Sequence, residues 1–197
     1  DNGSVVVTLS LDNEVQNGFW VTVERTDGSA TEAEGDYTAE TDKVTFTGIP
    51  GETHSVSVSI GGDAKVEDNE TLILRHGSVS RSGITISDTG TVTVQNDDSA
   101  AVTIADVSVA ENVTAGQVTV TLSLDNPVQG GFDVDVSTDN GTALSGADYT
   151  ALSETVSFAG TASENQTVNI TLNNDVSAEG NEEFYVRMSN LAATSLP

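Results

Sequence analysis

The sequence predicts an all-β protein built as two tandem immunoglobulin-like antiparallel β-sandwiches. Three observations carry that prediction. A long internal repeat divides the 197 residues into two related halves. Apolar residues alternate with Ser, Thr and charged residues at the period of two that marks a strand with one buried face. Turn signals such as Asp27-Gly28, Asp139-Asn140-Gly141 and Asp88-Thr89-Gly90 separate these runs, and no sustained helical period appears.

The repeat is read directly from the residues. Val7-Thr8-Leu9-Ser10-Leu11-Asp12-Asn13 returns as Val120-Thr121-Leu122-Ser123-Leu124-Asp125-Asn126, a shift of 113. Asp36-Tyr37-Thr38-Ala39 returns as Asp148-Tyr149-Thr150-Ala151 and Val44-Thr45-Phe46 as Val156-Ser157-Phe158, a shift of 112 after a one-residue deletion. A period this long means whole domains in tandem and not a solenoid of small units. The modules are placed at 1–98 and 99–197, with Asp97 to Ala101 as a junction too short for a flexible linker. The leading segment Ala101–Glu111 has no counterpart in the first module, and the closing segment Gly90–Asp98 has none in the second. The expectation is a window on a longer array, with the first module short of its first strand and the second short of its last.

In the first module the alternation predicts strands over Ser4–Asp12, Phe19–Arg25, Asp42–Thr47, Thr53–Gly61, Glu70–Val79 and Gly90–Gln95. In the second it predicts Val102–Ala110, Gln117–Asp125, Gly131–Thr138, Glu154–Phe158, Glu164–Leu172 and Glu182–Asn190. About seven strands in a unit of this length fit an immunoglobulin-like sandwich.

Composition narrows the function. With 31 acidic residues against 6 basic ones, the formal charge is -25, which repels nucleic acid and anionic membrane surfaces and favours cations as partners. There is no cysteine, hence no disulfide and no thiolate metal site. No apolar run in these residues approaches the ~18 residues of a membrane span and no basic-then-apolar stretch follows Asp1, and with a longer parent expected both readings concern this segment alone.

One acidic stretch is repeated with the modules. Asp63-Ala64-Lys65-Val66-Glu67-Asp68-Asn69-Glu70 is echoed by Asp175-Val176-Ser177-Ala178-Glu179-Gly180-Asn181-Glu182, each after a strand-like run. Two carboxylates ~4 Å apart at an effective dielectric near 20 repel by about 4 kcal/mol, so such a loop is either well solvated or neutralised by a cation. Asp36 and Asp148, each before a Tyr, also suit turn capping through their own side chains. Trp20, Phe19 and Phe132 are read as core or sheet surface in preference to a sugar-binding face, and His54 and His76 as separate surface residues. Carboxylate pairs such as Glu67 and Glu70 lack any sign of an enclosed pocket, and no enzyme is predicted.

Gly35-Asp36-Tyr37-Thr38-Ala39, Val44-Thr45-Phe46, the spacing Asp63…Glu67…Asn69-Glu70-Thr71, the ending Asn96-Asp97-Asp98 and the opening Ser108-Val109-Ala110-Glu111 together resemble the Calx-β family. That family is named for regulatory domains of sodium–calcium exchangers and occurs in tandem in bacterial surface proteins. The resemblance implies Ca2+ held at one end of each sandwich by loop carboxylates. The matching positions are Asp36, Asp63, Glu67, Glu70, Asp97 and Asp98 in the first module, and Glu111, Asp148, Asp175, Glu179 and Glu182 in the second. Calcium takes six to eight oxygen ligands, which agrees with these residue types, whereas zinc or copper calls for His or Cys. The resemblance further implies an extracellular or cell-surface spacer whose partners are neighbouring repeats, with calcium stiffening modules and junction. An adhesive module for a protein or glycan, or an intracellular calcium sensor of a transporter, is the alternative. Neither nucleic acid nor direct membrane contact is expected.

Overall fold

The computed structural model describes residues 3–86, 89–113, 116–176 and 179–193. Its regular structure is all strand, and contacts divide the chain into two compact units: Asp1–Asp63 with Asp68–Asp97, and Ala64–Glu67 with Asp98–Pro197. The division thus falls at Asp97 and Asp98, with one exception from the first acidic stretch. Ala64–Glu67 counts with the second unit, where the Val66 N–H donates to the Pro127 carbonyl at 2.9 Å and the Gln129 N–H donates to the Val66 carbonyl at 2.8 Å.

The first unit holds β1 (Gly3–Ser10), β2 (Phe19–Asp27), β3 (Thr41–Phe46), β4 (Thr53–Ile60), β5 (Glu70–Val79) and β6 (Gly90–Val94). They form a sheet β3-β2-β5-β6 and a pair β1-β4, all antiparallel. The second unit holds β7 (Val102–Ile104), β8 (Gln117–Leu124), β9 (Phe132–Asn140), β10 (Ser153–Phe158), β11 (Asn165–Thr171) and β12 (Phe184–Ala193), in antiparallel sheets β11-β8-β7 and β10-β9-β12. The repeat therefore reproduces the pairing: β4-β1 matches β11-β8, and β3-β2-β5 matches β10-β9-β12. Among the described residues, the first unit adds β6 beside β5 and the second adds β7 beside β8.

Each sandwich buries the alternate residues that the pattern placed inward. One core collects Phe19, Val21, Val23, Val44, Phe46, Val56, Val58, Leu72 and Leu74; its counterpart collects Phe132, Val134, Val136, Val156, Phe158, Val168 and Ile170 with Leu122 and Leu124. Phe19 stacks on Phe46 and Phe132 on Phe158, both with centroids 5.0 Å apart, so these phenylalanines are core and form no sugar-binding face. Trp20 lies on the outer face of β2 with Lys43 Nζ 4.5 Å above its ring. His54 is half-buried, hydrogen-bonded to Glu52 at 2.8 Å and packed edge-on against Phe46, whereas His76 is exposed.

Turns repeat as faithfully as strands. Gly48 and Gly160 adopt φ of 98° and 83°, and an added Cβ would lie 2.0 Å from the Val15 carbonyl oxygen or 1.9 Å from that of Val128. Glu52 accepts the backbone N–H groups of Thr47 and Gly48, and Glu164 accepts those of Ala159, Gly160 and Thr161. Chiefly through the Thr47 N–H, the Glu52 carboxyl is held down to about 2.

The strand predicted over Val102–Ala110 shrinks to Val102–Ile104. The pairing with β8 ends at Ile104, and past it Val107 and Val109 are 49% and 44% exposed, with no strand paired to them among the described residues. The last strand of the second unit begins at Phe184 and not Glu182, which leaves Glu182 and Glu183 in the preceding loop. Among the described residues no helix is long and apolar enough to cross a membrane.

Candidate metal centre

The Gly-Asp-Tyr-Thr segment is fixed in the same way in both units. The Tyr37 hydroxyl donates to Asp27 at 2.6 Å and the Tyr149 hydroxyl to Asn140 at 2.7 Å, with both tyrosines almost wholly buried. Thr38 N–H meets the Ser59 carbonyl at 3.2 Å and Thr150 N–H that of Thr171 at 2.9 Å, which lays the segment along the end of β4 or β11. Asp36 and Asp148 then accept backbone N–H groups from Thr31 and Leu144, both at 2.6 Å. The turn-capping role is thus real. A carboxylate has acceptor sites beyond the one that this bond uses, so capping does not prevent ligation.

In the second unit the five predicted residues converge. Glu111, Asp175 and Glu179 offer one oxygen each within 4.8 Å of one another, and so do Asp148, Glu179 and Glu182; Glu179 is common to both groups. Glu111 follows β7, Asp148 lies in the loop after β9, Asp175 and Glu179 follow β11, and Glu182 precedes β12. Glu111 also accepts the Asp175 N–H at 3.2 Å, which joins two of these loops.

The electrostatics show what this convergence does. Glu179 is pushed above the ordinary glutamate value, first by the negative charge of Asp175, then by desolvation and by Glu182, Asp148 and Glu111. Glu182 is pushed up by desolvation and then by the charge of Asp148 and a hydrogen bond with it. Carboxyls crowded in this way either hold protons or take a cation. Every donor is a carboxylate oxygen, and neither histidine belongs to either group, so the set fits a hard divalent cation such as calcium and not zinc or copper.

The first unit gathers a different group. Asp36 and Glu70 come together with Glu34, again within 4.8 Å; Asp36 is 9% exposed and Glu70 7%. Glu34 was not expected, although the Glu34-Gly35-Asp36 spacing carries the signal; the second module has Gly146-Ala147 before Asp148 and no carboxylate there. Asp63, Glu67, Asp97 and Asp98 lie outside this group of three. Glu67 has a protein cation beside it, with Lys65 Nζ at 2.6 Å from its carboxylate. The corresponding position two residues before Glu179 is Ser177.

The architecture defines a class: tandem β-sandwiches with carboxylates gathered at loops between strands. The Calx-beta domain family model matches the sequence twice, over residues 1–108 and 94–196. The chain belongs to the Calx-beta family, as two tandem domains. Solved structures that resemble it include CBD12 from CALX1.2, at 21% identity over 98% of this chain and 77% of that one, with a TM-score of 0.44. The calcium binding domain CBD12 of CALX1.1 is 19% identical over 98% and 76%, with a TM-score of 0.45. The apo-form Calx CBD1 domain is 26% identical over 43% and 72%, with a TM-score of 0.39. No curated protein sequence matches the chain.

Proposed function

We propose that the chain is a calcium-binding structural region of a larger protein, and that the second module takes Ca2+ through Glu111, Asp148, Asp175, Glu179 and Glu182. The observation that carries this reading is the convergence of five carboxylates, with Glu179 driven toward protonation first by the charge of Asp175 and Glu182 first by desolvation and then by Asp148. Calcium would supply the positive charge that the loops lack and hold together segments that otherwise repel. In the first module the corresponding ligands are Glu34, Asp36 and Glu70, with Asp63, Glu67, Asp97 and Asp98 as the further candidates that the family pattern implies.

The acidic surface, the tandem repeat and the absence of cysteine suit a spacer in an extracellular or cell-surface array, and bacterial surface proteins are the natural setting. Modules of this kind need no enzymatic activity for that role. Calorimetric titration of calcium into metal-stripped protein tests the reading. Saturable binding that raises the melting temperature and is lost on Glu179→Gln is expected; no heat and no stabilisation at millimolar calcium would refute it.

A further inference from the structure

One charged side chain is enclosed in the first sandwich. Arg25 occupies an inward position of β2, and its side chain is 1% exposed. Its Nη2 donates to Asp42 Oδ2 at 2.7 Å on the neighbouring β3 and to the Ser57 carbonyl at 2.6 Å on β4 of the other sheet. Glu40 Oε2 stands 3.8 Å from the same nitrogen. The Nε and Nη1 of this guanidinium are also buried, and neither has an acceptor among the described residues.

The second sandwich fills the same place differently. By the repeat, Arg25 corresponds to Thr138, Glu40 to Leu152 and Asp42 to Glu154. Thr138 Oγ1 accepts the Leu152 N–H at 2.9 Å, and the Leu152 side chain packs against the core. Glu154 is exposed. A hydroxyl and an apolar side chain thus stand where the first sandwich has a buried cation and two carboxylates.

A buried N–H without an acceptor costs the free energy of its lost hydration, and more when it carries charge, so Nε–H and Nη1–H need oxygen partners. The surroundings decide the charge of that partner. Asp42 already balances the guanidinium and Glu40 adds a second carboxylate, so a further anion would be repelled. A small neutral acceptor fits, and water has that chemistry. The carboxylates of Asp42 and Glu40 offer acceptor sites for its own hydrogens, and buried waters serve groups of this kind.

From this we infer that the first sandwich has an internal hydration site, in which ordered water accepts from Arg25 Nε and Nη1. The second sandwich, with Thr138 and Leu152 at the same place, has no such site. The inference is independent of calcium, since no residue of the grouped carboxylates takes part in it.

Water-selective NOE and ROE spectroscopy of the whole chain reads the site through the Arg25 Hε proton. Expected are direct cross-peaks between Hε and long-lived water, with Hε exchanging more slowly than that of the exposed Arg75. In crystals of the chain, water should lie within hydrogen-bond distance of Nε or Nη1. The variant Arg25→Thr, Glu40→Leu copies the second sandwich and should be dry at this place. An Hε without any water contact, or one that exchanges as fast as that of Arg75, would overturn the inference. A crystal structure in which protein oxygens or an anion take both nitrogens would overturn it equally.

Discussion

The two acidic stretches begin from nearly the same sequence and reach different electrostatic solutions. In the first repeat Lys65 stands 2.6 Å from Glu67, and the described carboxylate group pairs the nearly buried Asp36 and Glu70 with an exposed Glu34. In the second repeat Ser177 stands where Lys65 would be, and Glu179 is the meeting point of two groups. One repeat carries a cation of its own, while the other raises the proton affinity of Glu179 and Glu182. The Lys-to-Ser difference is one of several between the loops, alongside Asp68 against Gly180 and Glu34 against Gly146, and it removes the cation that sits beside Glu67 in the first repeat. The acidic spacing alone does not report this.

The largest expected effect concerns the core. Leu122→Ala removes a fully buried side chain and should cost about 2–5 kcal/mol, whereas Leu9→Ala, at the partly covered equivalent, should cost well under half of that. Chemical denaturation of the two variants measures the gap, and equal costs would show that β1 is as well packed as β8.

Next comes the shared carboxylate. Glu179→Gln should weaken calcium binding by about tenfold or more and, in metal-free protein, should stabilise the second unit by relieving repulsion. Thermal melts with and without calcium check both signs.

The tyrosines offer a finer comparison. Tyr37 donates to the carboxylate of Asp27 and Tyr149 to the neutral amide of Asn140. Tyr37→Phe should therefore cost more than Tyr149→Phe, by about 1 kcal/mol, because bonds to charged acceptors are the stronger class.

The smallest effect is that of pH. Glu179 and Glu182 bind protons more readily folded than unfolded, so metal-free protein should gain stability from them as pH falls toward the ordinary value of 4.5. Saturating calcium should remove that gain. Glu52, held to about 2, acts oppositely: its contribution is present above 4.5 and is lost as pH falls through about 2. Melting temperatures across pH 2–7, with and without calcium, separate the two trends.

Much of this was legible in the sequence, for identifiable reasons. Period-two alternation shows which side chains point inward, and it placed Val56, Val58, Val168 and Ile170 in the core. It does not show whether a partner strand exists, which is why the run beyond Ile104 reads as strand and is not one. Acidic spacing marked Asp175, Glu179 and Glu182 and the Calx-β resemblance added Glu111 and Asp148, and the fold brings oxygens of these five into two overlapping groups. Glu34 stayed hidden because no acidic residue matches it in the second module. Nothing in the sequence singled out Glu52 and Glu164, since their role comes from accepting backbone N–H groups of the adjoining turns. The buried Arg25, bonded to Asp42 at 2.7 Å and to the Ser57 carbonyl at 2.6 Å, has Thr138 as its counterpart, so the repeat gave no hint of it.

The central proposal is that the second module's carboxylates form a calcium site, with Ser177 in the sequence where the first module has Lys65 beside Glu67. Residue-resolved NMR titration of metal-stripped protein with calcium tests it most directly. The account predicts saturable shifts at Glu111, Asp148, Asp175, Glu179 and Glu182, reached at lower calcium than any at Glu34, Asp36 and Glu70. Shifts confined to the first module, or none at millimolar calcium, would contradict it.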